Sequence, residues 1–199
     1  MRNIPMPDDP ARVGTRSGRK FSFLETLETG DPNEIYLRDI AWSLAQINRF
    51  NGHAKFPYSV GLHSILVSRI VPAKYALCGL MHDATEAYLG DVASPLKREL
   101  PAYKTLEFEC WRRIASKFKL PEIMPDEVHR ADKQALALER RILVPQDRSR
   151  WAMLRGYGAP RRDEITSLVV PMAHTDVYRM FLARFREILV ASRTWRKTG

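Results

Sequence analysis

The chain has 199 residues, a formal net charge of +9 and a hydrophobic fraction of 45%. That length supports one domain with a sizeable core, and the composition excludes collagen-like, low-complexity and disulfide-scaffold classes. No apolar run approaches the roughly 20 residues needed to span a bilayer, and Met1–Pro10 lacks the apolar core of a signal peptide, so a cytoplasmic location is expected.

Residues 1–30 read as an N-terminal arm, because Met1 to Lys20 is rich in Pro, Gly and Arg. Phe21-Ser22-Phe23 forms a short strand or an anchoring turn. The folded domain spans 31–199. Ile40, Leu44 and Ile47 recur at helical spacing and predict a helix over Leu37 to Asn48. Ser59 is the candidate N-cap of a helix that carries His63 and ends before Pro72. The next helix is predicted from Lys74 to Ala87.

Leu106, Cys110, Ile114 and Phe118 define a further helical face that ends near Pro121. Pro125 suits the first turn of a helix carrying Asp132 and running to about Leu143. A basic loop over 145–165, irregular from Arg148 to Arg162, precedes a last helix from about Thr175 to Ser192. With no repeat and no heptad run, the expected architecture is a single all-α domain. Cys78 and Cys110 lie in apolar helical settings without paired spacing and read as buried reduced thiols.

The segment His82-Asp83-Ala84-Thr85-Glu86-Ala87-Tyr88-Leu89-Gly90-Asp91 carries the strongest chemical signal. In a helix, Glu86 lies one turn beyond His82 and Asp83 and shares their face. The stretch Ala76–Met81 just upstream is nearly all apolar, so three polar groups open from a buried helix, which is costly unless a ligand satisfies them. Imidazole and carboxylate together suit a transition metal that needs further N or O ligands. His63, in the apolar stretch Ser59 to Val67, supplies a second imidazole, and Asp132, beside the face of Val128, Ala131, Ala135 and Leu138, a fourth ligand. Taken alone, His63 reads equally as a core histidine, and Asp132 as a surface partner of Lys133 or Arg130.

The order His63, His82-Asp83, Asp132 resembles the metal-binding signature of the HD-domain phosphohydrolase superfamily. HDATEAYLGD followed by Val92-Ala93-Ser94-Pro95-Leu96-Lys97, and Ala131-Asp132-Lys133-Gln134-Ala135 with Glu139, are similar to segments of its 5′-deoxynucleotidase branch. Arg49-Phe50 stands near the position of an Arg-aromatic pair in that branch, with Phe where Trp is typical. Asn51-Gly52-His53 is similar to phage relatives that remove triphosphate from dATP. The resemblance covers residues 36 to 143 and implies an HD-domain helical bundle and, as a partner, a second copy of the chain in a homodimer.

On this reading His63, His82, Asp83 and Asp132 hold one divalent transition metal ion: Mn, Co, Zn, Fe or Ni. Glu86 orients or deprotonates water, and Asp91 either protonates the leaving group or caps a turn. Arg49, Lys97 and His53 contact phosphate oxygens, and Phe50 stacks on sugar or base. The expected substrate is a nucleotide, with hydrolysis of a deoxynucleoside 5′-monophosphate first and release of triphosphate from a dNTP as the alternative. A nucleic-acid-binding module, using basic residues interleaved with Trp151, Tyr157 and Trp195, or a nuclease, is the alternative of a different class.

Overall fold

The computed structural model describes residues 11–145, 151–160 and 163–198, apart from the side chains of Glu164 and of residues 193–198. The polar stretch Met1–Pro10, two pieces of the basic loop (146–150 and 161–162) and the tail side chains Arg193, Trp195, Arg196 and Lys197 therefore lie outside the described residues. The domain is mainly α-helical, as its composition and periodicity imply. Its helices are α1 (Leu37–Gln46), α2 (Val60–Ile70), α3 (Ala76–Met81), α4 (Glu86–Leu89), α5 (Ser94–Arg98), α6 (Pro101–Phe118), α7 (Asp126–Leu143), α8 (Asp163–Thr166) and α9 (His174–Thr198). Among the described residues no helix is long and apolar enough to cross a membrane.

Helix α2 is the axis of the fold. Ser59 caps it by accepting a hydrogen bond from Leu62 N–H, and every residue from Val60 to Ser68 is buried. A helix buried all round needs neighbours on all sides, and α1, α3, α7 and α9 supply them. Ile40, Leu44, Leu62, Leu66, Leu80, Val128, Leu138 and Phe181 meet in the resulting core. Gly79 permits the α2–α3 approach: a Cβ there would lie 2.9 Å from Val71 Cγ1 and 3.3 Å from Ser68 Cα. Cys78 and Cys110 are buried and free, and burial pushes their thiols up to about 11 and about 12.

Four expectations are corrected. Residues 11–20 are not an extended arm, whereas the short strand expected around Phe21-Ser22-Phe23 is present over Lys20–Ser22. Arg12–Gly14 (β1) pairs antiparallel with Lys20–Ser22 (β2), and Phe21 enters the core to stack on Tyr88 at 4.1 Å. The buried Arg113 guanidinium of α6 holds this hairpin by donating to Ser22 O and Glu34 Oε2, each at 2.8 Å. The three residues Arg12–Gly14 have too little alternation to register as a period, and the burial of Phe21 depends on α4 and α6.

The helix expected over Lys74 to Ala87 is broken. Ala84 N–H donates to Met81 O, Glu86 N–H to Asp83 O and Ala87 N–H to Ala84 O, a tightened three-residue turn between α3 and α4. Because residues three apart eclipse in such a turn, Asp83 and Glu86 still face one side. In the basic loop, Ala152–Leu154 forms a 3₁₀ turn and Asp163–Thr166 a short helix. The last helix extends past Ser192 to Thr198.

Candidate metal centre

Helices α2, α3 and α7 bring His63, His82 and Asp132 together, with ligand atoms all within 4.8 Å of one another. The two imidazoles face each other through Nε2 at 3.3 Å, and Asp132 Oδ1 lies 3.3 Å from His63 Nε2. Asp83 Oδ2 stands 3.2 Å from His82 Nε2 and 3.6 Å from His63 Nε2. Ligand atoms about 2.1 Å from a shared ion are separated by about 3.0 to 3.4 Å at octahedral or tetrahedral angles. The 3.2 and 3.3 Å spacings fall in that range and the 3.6 Å between Asp83 and His63 lies beyond it, so His63, His82 and Asp132 could hold a single ion with Asp83 beside them.

The outer nitrogens decide which way the rings present their lone pairs. His82 Nδ1–H donates to Gly79 O at 2.9 Å, and His63 Nδ1–H donates to Glu139 Oε1 at 2.6 Å. Both Nε2 atoms are thereby turned inward, where a bound ion would take their lone pairs.

Electrostatics distinguish the two rings. Burial lowers His82, which stays neutral despite the nearby Asp83. For His63, burial and the Arg49 charge oppose protonation, but the Glu139 charge and the bonds to Asp132 and Glu139 outweigh them and lift it to about 9. Without an ion, a proton on His63 partly offsets the surrounding carboxylates. Burial would raise Asp132 and Glu139, yet both are lowered, Asp132 by its bond to His63 and Glu139 by the charges of Arg49 and His63.

The centre opens into a cleft of about 560 Å³ that Asp83 and Asp132 share with Glu86, Asp91, Arg49, Phe50 and Lys97. Glu86 is 5% exposed, and its Oε2 is buried without a hydrogen-bond partner. Burial, then the charges of Asp83 and Asp91, push its carboxyl well above the usual range. Asp91 is also raised, chiefly by burial. Lys97 is tied to Glu107 Oε1 at 2.5 Å, which outweighs burial and raises its pKa. Arg49 donates through Nε to Glu139 Oε2 at 3.0 Å and approaches Asp83 with Nη1 at 3.8 Å.

Phe50 and Asn51, both lining the cleft, have φ of 56° and 50°. Two successive non-glycine residues in the left-handed region store strain at the cleft mouth. His53, expected to contact phosphate, is exposed and does not line the cleft, because the 3₁₀ turn Arg49–Gly52 points the chain away after Asn51.

Two residues beyond the expected site belong to this region. Trp151 lines the cleft with its ring 6.4 Å from that of Phe50; its place inside the basic loop suggested nucleic-acid contact rather than this cleft. Glu139 did offer one: it lies two turns beyond Asp132, in a helix whose other buried positions are apolar. A second groove of about 780 Å³, bounded by α2, α3, α6 and α9, contains none of the candidate residues.

Fold and site thus define a class: a mainly α-helical protein with a buried His/Asp cluster able to hold a metal ion. Within it, the chain belongs to the family of YfdR, an uncharacterized protein of Escherichia coli strain K12, with which it is 40% identical over 176 residues, 88% of this chain and 94% of YfdR. A second relative, the uncharacterized protein RCAP_rcc00048 of Rhodobacter capsulatus, is 31% identical over 140 residues, 65% of this chain and 69% of its own length. No protein-family model matches the chain.

Proposed function

We propose that this protein is a metal-dependent phosphohydrolase of the HD-domain superfamily that removes the 5′-phosphate of deoxynucleoside monophosphates. The observation that carries the reading is the convergence of His63 Nε2, His82 Nε2 and Asp132 Oδ1, with Asp83 beside them, next to the unpartnered Glu86.

When bound, a divalent ion supplies Lewis-acid charge to the phosphoryl oxygens and makes hydroxide accessible near neutral pH. The protein supplies the rest. Glu86, with one oxygen unsatisfied beside the cleft, takes the proton of the attacking water. The phosphorus–O5′ bond breaks, and Asp91, whose carboxyl is raised by burial, gives its proton to the leaving sugar oxygen. Glu86 is raised first by burial and then by the charges of Asp83 and Asp91; the positive charge of a bound divalent ion would oppose that rise and leave this carboxylate free to accept a proton near neutral pH.

Arg49 faces the phosphate from the cleft wall, and Phe50 with Trp151 offers an apolar corner for sugar and base. Arg49, Lys97, Arg98 and Lys133 line the cleft against Asp83, Glu86, Asp91 and Asp132.

The test is chromatographic product analysis after incubating metal-loaded protein with dNMPs, dNTPs and NTPs, with Asp83→Ala as control. Nucleoside and inorganic phosphate from monophosphates are expected. Intact triphosphate would replace the reaction with triphosphohydrolysis. No metal-dependent product, together with oligonucleotide binding that survives Asp83→Ala, would assign the chain to nucleic-acid binding instead.

A further inference from the structure

Glu139 is neither in the ligand cluster nor on the cleft wall, yet its side chain is 0% exposed and both of its oxygens are engaged. Oε1 accepts from His63 Nδ1–H at 2.6 Å, and Oε2 accepts from Arg49 Nε–H at 3.0 Å. These donors are 76 and 90 residues away in the chain. One belongs to the metal cluster and the other to the cleft that opens from it. A carboxylate this enclosed is tolerated only when its lone pairs are matched by donors, so its position is set by these two contacts and it sets theirs in return.

We propose that Glu139 is a positioning residue serving both halves of the site. By accepting from Nδ1–H it holds the His63 ring with Nε2 turned toward His82 and Asp132, and by accepting from Nε–H it holds the Arg49 guanidinium at the cleft wall. Metal ligand and cleft cation therefore share one support, and displacing either donor relaxes the other. The inference rests on the metal-centre reading and is independent of which nucleotide is the substrate.

Glu139→Gln tests it with little change in size. A carboxamide has one acceptor oxygen, so it satisfies one donor and turns its NH₂ toward the other. Three measurements on the full chain decide the matter. Co²⁺ affinity, followed by visible absorption, is expected to fall about 10- to 100-fold in Glu139→Gln. In the Zn²⁺-loaded protein, the downfield proton resonance of His63 Nδ1–H, bonded to the carboxylate, is expected to move upfield. The effects of Glu139→Gln and Arg49→Ala on Co²⁺ affinity are expected to be non-multiplicative in the double variant, because both act on one carboxylate.

Wild-type Co²⁺ affinity and an unmoved resonance in Glu139→Gln would overturn the support of His63, and effects that simply multiply would overturn the shared role. If Glu139→Gln does not fold, Glu139→Asp is read instead. It keeps the charge but falls short of both donors, so an intermediate loss is expected and wild-type values in all three measurements refute the proposal. A wild-type chain that binds no Co²⁺ overturns the metal-centre reading and this inference with it. Co²⁺ binding without nucleotide turnover overturns only the proposed reaction.

Discussion

Gly79 ties stability to the metal centre, and Gly79→Ala exposes the link. A Cβ at this position would stand 2.9 Å from Val71 Cγ1 and 3.3 Å from Ser68 Cα, against an optimum of about 3.5 to 4.0 Å for carbon pairs. Val71 can turn slightly, but Ser68 Cα is backbone, so α3 must move away from α2 by a few tenths of an ångström. Overpacking of this kind costs about 1–3 kcal/mol, and alanine returns up to about 1 kcal/mol of helix propensity. The net expectation is a loss of about 0.5–2 kcal/mol. The same shift carries Gly79 O, which accepts from His82 Nδ1–H at 2.9 Å, so the His82 ring is displaced relative to His63. Urea unfolding of the metal-free protein measures the first effect, and Co²⁺ titration measures the second, expected as a several-fold weaker affinity. Gly158→Ala is the control, since nothing lies within 4 Å of a Cβ there. A Gly79→Ala protein as stable as the wild type and equal in Co²⁺ affinity would refute the claim that this approach sets the spacing of the two imidazoles.

Glu86→Gln is expected to keep its metal, since Glu86 is outside the ligand cluster, and to lose about 10²- to 10⁴-fold in kcat; full activity removes Glu86 from the mechanism. In the metal-free protein, the raised pKa of His63 contributes stability that is complete below its ordinary 6.5 and is lost as pH rises through about 9. The loss is at most about 3 kcal/mol. Denaturant midpoints between pH 6 and 10 should show that decline, and its persistence unchanged in His63→Gln would refute the assignment. Arg113→Ala is expected to cost about 1–3 kcal/mol, because Glu34 beneath the hairpin loses its closest cation and keeps only Arg12 at 3.4 Å. A thermal midpoint within a degree or two of the wild type would show that the hairpin is not anchored there.

Much of the helical framework was legible in the chain, because caps and periodicity act over three or four residues. Ser59 marks the start of α2 by its own side chain, Pro125 precedes α7, and the apolar stretches around His63 and before His82 betray burial before any fold is known. The order of two histidines and two aspartates likewise pointed to a cluster, of which the fold brings His63, His82 and Asp132 together, with Asp83 beside His82. Other features depended on contacts that no local window contains. Phe21 is buried only because Tyr88 and Arg113 receive it, and the turn after Met81 tightens where a continuous helix would also have satisfied the local pattern. His53 shares a short polar segment with Arg49, yet three successive residues of positive φ between them send it out of the cleft. Glu139 acquires its partners, and Trp151 its place beside Phe50, only when α2, α3 and α7 cross. Helix spans and burial follow from neighbours along the chain, whereas the aim of each side chain at the site follows from how closely those helices approach, a distance set by packing at positions such as Gly79.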